Sequence, residues 1–408
     1  MSDLRRIYAI QALRAFVYGF GSVLLGASLE RSGFSGAQVG FIFAALLAGS
    51  ALVSLMLVRQ ADRMGRRRLY GILLACMGAS GTIFALTDSY PLLILAALTG
   101  TLSVEVVESG PFTSIEQAMV PAAAPGSHGS ARAFGVYNAI AALVGSAGAL
   151  AAGGPEILRR TLPDAPVGRR WLLVYPLAAV AALLITRGLS AAVEAGRGLV
   201  RGPTLRRSRK PVLRLAGLFA VDSFAGGFVV QSFIVYWFAR EYGASTELMG
   251  AVLAATGLLQ AGSFLVAPRL AVRFGLLNTM VFTHLPSNVV LALIPLAPSL
   301  PIAVTLLLLR YPLSQMDVPT RQAYLTLLAG PEERAAAASV TNAARTAVRP
   351  LGAPIAGAVT GTAAGGLPFF IAGGLKAAYD IALYFWFRRI PVDEERVAQL
   401  SSRERKAM

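Results

Sequence analysis

Two polar loops, half a chain apart, carry one signature. The first runs Val58-Arg59-Gln60-Ala61-Asp62-Arg63-Met64-Gly65-Arg66-Arg67-Arg68-Leu69, and the second Pro268-Arg269-Leu270-Ala271-Val272-Arg273-Phe274-Gly275-Leu276-Leu277. Their glycines, Gly65 and Gly275, lie 210 positions apart in a chain of 408. Further matches follow in order. Gly145 and Gly148 follow Asn138 at the steps by which Arg349 and Gly352 follow Asn342, an offset of 204. Glu116-Gln117-Ala118 matches Arg321-Gln322-Ala323 at 205, and Gly33-x-Ser35 matches Gly243-x-Ser245 at 210. A chain built this way is two copies of one unit. In an apolar protein, such duplication points to a secondary transporter.

Apolar the chain certainly is. It is 55% hydrophobic and 14% charged, with a mean hydropathy of +0.62, whereas soluble domains carry roughly a quarter charged residues. A spanning helix needs about 20 mostly apolar residues. Twelve stretches qualify, near 7–29, 36–58, 68–87, 90–112, 132–153 and 170–189, then 212–238, 246–268, 275–297, 300–325, 337–360 and 366–387. The opening residues are too short and poorly patterned for a cleaved signal peptide, and their apolar run continues at spanning length, so it reads as the first helix. The predicted fold is an all-α polytopic membrane protein of twelve helices in two six-helix halves. Residues 1–189 form the first half, 190–211 a basic linker, 212–390 the second half and 391–408 a tail.

Counting Lys and Arg sets the orientation. With the N-terminus inside, the cytoplasmic segments hold 26 basic residues and the external loops 6, so the positive-inside rule places both termini in the cytoplasm. One external segment fights the assignment, with Arg159, Arg160, Arg169 and Arg170. The net charge of +16 therefore reads as topology and not as nucleic-acid binding. The Gly-, Pro- and Arg-rich stretch from Arg187 to Arg214 reads as a flexible tether or a short amphipathic helix on the anionic inner leaflet. Only three of the 37 basic residues are lysine, which by association suggests a GC-rich bacterial genome and the inner membrane.

The loop Ala61-Asp62-Arg63-Met64-Gly65-Arg66-Arg67 resembles the signature of the major facilitator superfamily between helices 2 and 3, with Val58 and Gln60 replacing its leading glycine and leucine. The resemblance covers essentially the whole chain through helix count, halves and linker. It implies that Asp62, Arg63, Gly65 and Arg66 help lock the halves together when the cavity opens outward. Gly65 permits the tight turn, and Asp62 can accept from a helix N-terminus or pair with arginine. Val272 replaces the acid in the second copy, so the lock is expected to be asymmetric. Gly145-Ser146-Ala147-Gly148 to Gly153 resembles a glycine-rich motif of family exporters, with Ser146 where a proline is expected. Ordinary close packing of helices explains it as well.

Ionisable residues at membrane depth are costly and are functional candidates by default. Arg14 falls in span 1, Glu105 and Glu108 in span 4, Asp222 in span 7, and Arg310 and Asp317 in span 10. In the resembled fold these spans line the central cavity. Glu105 and Arg310 are repeat-equivalent and can pair across it. Glu105, then Asp222, is the first candidate for proton coupling, which needs a carboxyl titrated by making or breaking such a pair. Arg14 can hold Asp222 or Glu108 ionised or contact an anionic substrate. The alternative for each is a static pair that fixes packing. Asp317, in the polar segment Gln315 to Gln322, belongs to a substrate path or a cytoplasmic gate. Pro111 is expected to kink span 4. Arg345 and Arg349, one turn apart on span 11, can face anionic substrate or the acids of span 10. Lys376 and Asp380, spaced i, i+4, are expected to satisfy each other. The aromatics of span 7 are core packing or a substrate wall, and His284 is a packed polar residue.

No phosphate-binding loop of the form Gly-x4-Gly-Lys-Ser/Thr is present, so ATP does not drive the protein directly. No metal-ligand spacing and no catalytic Ser/His/Asp set stands out; neither an enzyme nor a cofactor is expected. The single Cys76 argues against a disulfide framework. The leading function is proton-coupled efflux of a small molecule, acting as a monomer with substrate, protons and lipid as its partners. Transport of an organic or inorganic anion is the alternative, favoured by Arg14, Arg310, Arg345 and Arg349. A transport-inactive sensor or assembly factor on the same fold is a remote third.

Overall fold

A chain in hydrocarbon must satisfy every backbone N–H and C=O internally, which leaves helices as the spanning solution for this pattern. A computed structural model describes residues 2–389 except 107–109, 124–126, 167, 195–204, 207, 330–331 and 361–364. For residues 58–59, 61–63 and 127–131 only the backbone is described. Helices fall in every predicted span. They run α1 (Asp3–Arg31), α2 (Gly36–Met64), α3 (Arg66–Leu86), α4 (Tyr90–Leu98), α5 (Pro111–Ala123), α6 (Ser127–Ala151), α7 (Gly154–Thr161) and α8 (Val174–Thr186). After the linker come α9 (Arg209–Gly227), α10 (Gln231–Tyr242), α11 (Thr246–Phe274), α12 (Leu276–Leu293), α13 (Leu300–Gln315), α14 (Asp317–Leu328), α15 (Arg334–Val348), α16 (Gly352–Thr360) and α17 (Leu367–Phe387).

Among the described residues, eight helical stretches are long and apolar enough to cross a membrane. Predicted span 4 is α4 and α5 with an irregular segment between them. Spans 7, 10 and 11 are likewise broken, at 228–230, at Met316 and at 349–351. The break in span 4 precedes the kink expected at Pro111, because α4 stops at Leu98 and the helix restarts on that proline. Helix α9 begins at Arg209, inside the predicted linker. The Glu333 carboxylate accepts from the Arg206 and Ser208 amides at 2.7 and 2.9 Å and so anchors the segment leading into it. Linker residues 195–204 and 207, and the tail, lie outside the described residues.

The duplication is repeated in the packing. Close approach of α1 to α6 is set by Gly19, where a Cβ would strike the Gly145 carbonyl, and by Gly148, where it would strike the Phe16 carbonyl. In the second half the counterparts meet in the same way: Gly227 against the Arg349 carbonyl and Gly352 against that of Phe224. Both signature loops adopt one conformation, with φ +84° at Gly65 and +85° at Gly275, where only glycine is unstrained.

Between the halves, α2 packs on α16, α6 on α11 and α1 on α10. Here too glycines permit contact: Gly357 against Gly36 and Gly40, Gly250 against Ala149, and Gly26 against Ser232. All of these lie away from the face that carries Asp3, Gly65 and the linker. The protein is therefore closed on this far face. Introducing bulk there should bias it the other way. Gly357→Val places a Cβ against the Gly36 carbonyl and Gly40 Cα, and is expected to lengthen spin-label distances across the far face and shorten them across the linker face. Unchanged distances would refute this account of the closure.

Candidate functional site

The site grows from the break in span 4. Helix α4 stops at Leu98, with Gly100 just beyond it in the left-handed region at φ +63°, and α5 starts with Pro111 at its first position, where no amide partner is needed. The polar and β-branched residues between them leave backbone groups that hydrocarbon cannot satisfy. Other elements supply the partners. The Tyr18 hydroxyl donates to the Thr101 carbonyl at 3.0 Å, and the Ser103 hydroxyl to that of Glu105 at 2.8 Å. Further partners come from the start of α10, just past the break in span 7. Ser232 donates its amide and its hydroxyl to the Val104 carbonyl at 3.0 and 3.1 Å. The Val106 amide donates to Gln231 Oε1 at 2.6 Å, and Gln231 Nε2 donates to the Tyr311 hydroxyl at 3.0 Å. Two broken helices from opposite halves thus satisfy each other.

Glu105 sits between the two pinned residues. Its carboxylate meets the guanidinium of Arg349, which lies in the break of span 11. This ion pair joins the halves. It is also partly open, with side-chain exposures of 27% for Glu105 and 31% for Arg349, so a proton can reach it. The expected pairing of Glu105 with Arg310 is not formed, because the irregular backbone presents Glu105 to span 11 instead of span 10. Glu108 lies outside the described residues.

Most remaining charges are sealed within one half. Arg14 does not meet Asp222. It donates to Glu116 on α5 at 2.8 Å, and the hydroxyls of Tyr70 and Tyr137 donate to the same carboxylate. The guanidinium stacks 4.2 Å from the Phe112 ring centroid, a favourable place for a cation. In the second half Asp222 accepts from Lys376 at 2.5 Å and from Arg321 at 3.3 Å, and Arg321 also pairs with Asp317 at 3.2 Å. Arg14 and Asp222 lie 208 positions apart, and Glu116 and Arg321 lie 205 apart. The same bridge is therefore built in both halves with its charges exchanged. Lys376 and Asp380 do not pair, since Lys376 is taken by Asp222, while Asp380 accepts from Asn288 at 2.8 Å and contacts His284 Nδ1 at 2.9 Å. Arg310 is 8% exposed and forms no ion pair among the described residues. Arg345 is half-buried and its carbonyl accepts from Ser223 at 2.9 Å. The aromatics Phe233, Tyr236, Trp237 and Phe238 are buried core.

In the signature loop, the amides of Arg66 and Arg67 donate to Glu194 at 2.8 and 2.9 Å. A carboxylate at this helix N-terminus is favoured by its unpaired N–H groups and dipole. The side chains of Asp62 and Arg63 lie outside the described residues. On the far face, Glu156 reaches from α7 to the first amides of α11, those of Thr246 and Glu247, at 3.1 and 3.4 Å. Arg160 pairs with Glu247 at 2.6 Å and Arg31 donates to Thr246 at 2.9 Å. Arg169 pairs with Asp88. Two of the arginines that opposed the topology rule thus have structural partners, and one of them joins the halves. Sequence reasoning missed Glu156 and Glu194, which sit in short helical turns between the spans without a repeat match.

The sequence model of the Major Facilitator Superfamily matches residues 7–314. An uncharacterized membrane protein of Saccharomyces cerevisiae is 26% identical, the match covering 94% of each chain. The fold is similar to that of the nucleoside transporter NupG, with a TM-score of 0.75 at 14% identity over 95% of this chain and 99% of that one. A bacterial homologue of the human lysosomal transporter Spinster, inward-facing and occupied, gives 0.72 at 17% over 95% and 96%. A D-xylose–proton symporter gives 0.69 at 14% over 96% and 99%.

Removing one partner of a sealed pair should be more damaging than removing both. Arg14→Met leaves Glu116 buried and charged and is expected to destabilise the protein by about 3 to 5 kcal/mol, read by thermal unfolding in detergent. Arg14→Met with Glu116→Gln should recover part of that loss. Equal losses in the single and double variants would show that the pair is not the source.

Proposed function

Since the chain belongs to the Major Facilitator Superfamily, whose model covers three quarters of it, we propose that it is a proton-coupled secondary transporter of a small molecule, with Glu105 as the coupling carboxylate. It is an integral membrane transporter rather than an enzyme. The single observation that supports the coupling assignment is the Glu105–Arg349 pair, the one ion pair among the described residues that joins the halves at the broken helices while remaining partly exposed. Protonation of Glu105 removes the attraction to Arg349. What then holds the joint itself is a few hydrogen bonds to Ser232 and Gln231, each worth about 1 kcal/mol net, beside the far-face contacts of α2 with α16, α6 with α11 and Glu156 with α11. The far face can part and the linker face close, which is alternating access about a central site.

The sealed bridges suit a different role. Arg14–Glu116 and Asp222–Arg321 hold each half rigid, so that the halves move as bodies. Asp222 accordingly stays second to Glu105 as the proton carrier. Efflux was favoured by the glycines of α6, but Gly145 and Gly148 are accounted for by contact with α1, so the proposal of export has lost that support. The relative in yeast likewise removes the ground for placing the protein in a bacterial inner membrane in particular.

The test is proton flux in proteoliposomes. With an imposed pH gradient and a fluorescent pH probe inside, adding nucleosides, sugars, amphiphilic cations and organic acids in turn should collapse the gradient for one class. Glu105→Gln should abolish that collapse while retaining substrate exchange between equilibrated compartments. Glu105→Gln that still couples protons would exclude this residue, and Asp222→Asn would then be examined.

A further inference from the structure

We propose that the groove between α3 and α8, at the linker face, binds the phosphate headgroup of an anionic phospholipid. The groove has a volume of about 480 Å³, within the size range of ligand sites. Three arginines line it, Arg67, Arg68 and Arg187, together with Gly71, Leu183 and Thr186. Thr186 is buried, Gly71 and Leu183 are half-buried, and Arg68 and Arg187 are exposed. Gly71 helps to keep the groove open, since its missing Cβ would stand 3.7 Å from Leu183.

None of the three guanidiniums has an ion-pair partner among the described residues. Glu194 is the one carboxylate in the lining, and its oxygens accept from the Arg66 and Arg67 amides. Three arginines against one carboxylate leave two net positive charges. A guanidinium offers a planar fork of donors that matches phosphate oxygens. The position singles out a lipid. Ile72 on α3 and Leu177, Val180 and Leu184 on α8 are exposed apolar residues. Arg68 stands one turn before Ile72, and Arg187 one turn past Leu184, so each outward apolar face ends in an exposed arginine. In a bilayer such faces meet acyl chains, and the arginines at their ends stand at headgroup level. The turn itself does not require them. After the matching glycine of the second half, α12 opens with Leu276-Leu277-Asn278 and takes the same conformation. A topology signal needs charge on this face, but it needs no cavity among the charges. The lining belongs entirely to the first half, so the site persists while the halves move.

The experiment counts bound lipid on the purified, delipidated full-length protein by native mass spectrometry. Dioleoyl phosphatidic acid, phosphatidylglycerol and phosphatidylcholine are compared. Both anionic lipids are expected to bind at least about 5-fold more tightly than phosphatidylcholine. Arg68→Gln and Arg187→Gln should each weaken that binding by about 5-fold. Gly71→Leu fills the groove without altering charge and should weaken it as well. Arg273→Gln removes one exposed charge beside the matching turn of the second half, and should leave binding unchanged. Both groove arginines are exposed, so their variants should keep the lipid-free unfolding midpoint; Gly71→Leu tests the groove if either fails to fold. Inorganic phosphate and glycerol phosphate supply the headgroup chemistry without chains. Weak displacement of lipid by them supports a lipid site, whereas binding as tight as that of phosphatidic acid assigns the groove to a soluble phosphate and overturns the inference. Equal affinity for the three lipids overturns it too. So does unchanged binding in Gly71→Leu, or an equal loss in Arg273→Gln, since either reduces the effect to the general charge of this face.

Discussion

A charge taken into hydrocarbon has to be met by its opposite, and this protein meets that demand twice with one geometry. Arg14 and Glu116 bridge spans 1 and 4, and Asp222 and Arg321 bridge spans 7 and 10, at corresponding positions with the signs reversed. Each bridge is buried and carries extra hydrogen bonds, the condition under which a buried pair can hold its place. Around it the helices of one half are fixed in register. The glycine contacts of Gly19 with Gly145 and of Gly227 with Arg349 are then possible because the spans they join are already held at that distance.

Rigid halves need a joint that can change, and the joint is where the helices break. The segment 99–106 and the first turn of α10, just past the break at 228–230, share hydrogen bonds: the Ser232 amide donates to the Val104 carbonyl, and the Val106 amide to the Gln231 side chain. Glu105 and Arg349 lie in that joint, in contrast to the sealed bridges. On the far face, the Glu156 carboxylate and the Ser245 hydroxyl accept from three of the four unpaired amides that open α11. This contact exists only while the far face is closed, because Glu156 belongs to the first half and α11 to the second.

Much of the candidate site was legible, although the partners were not. Glu105 was singled out because it is a carboxylate at membrane depth on a cavity span, and it does stand at the junction. Its partner was misassigned to Arg310 on the strength of the repeat. The repeat predicts equivalent depth, but the irregular backbone at 99–106 has no counterpart in α13, so the equivalence fails there. Lys376 and Asp380 illustrate the same limit. Their i, i+4 spacing favours a pair in an isolated helix, yet each finds a better partner across the bundle, where burial strengthens the interaction.

The sequence by itself determined the all-helical membrane fold, the duplication and the turns at Gly65 and Gly275, because these follow from local hydropathy and from backbone angles that only glycine accepts. It also marked the residues that carry charge into the membrane. Which of those charges neutralise one another was decided only by the tertiary structure. Pairing depends on side chains brought together from spans about a hundred or more positions apart, as with Arg14 and Glu116 or Glu105 and Arg349. No spacing rule along one helix encodes such a distance.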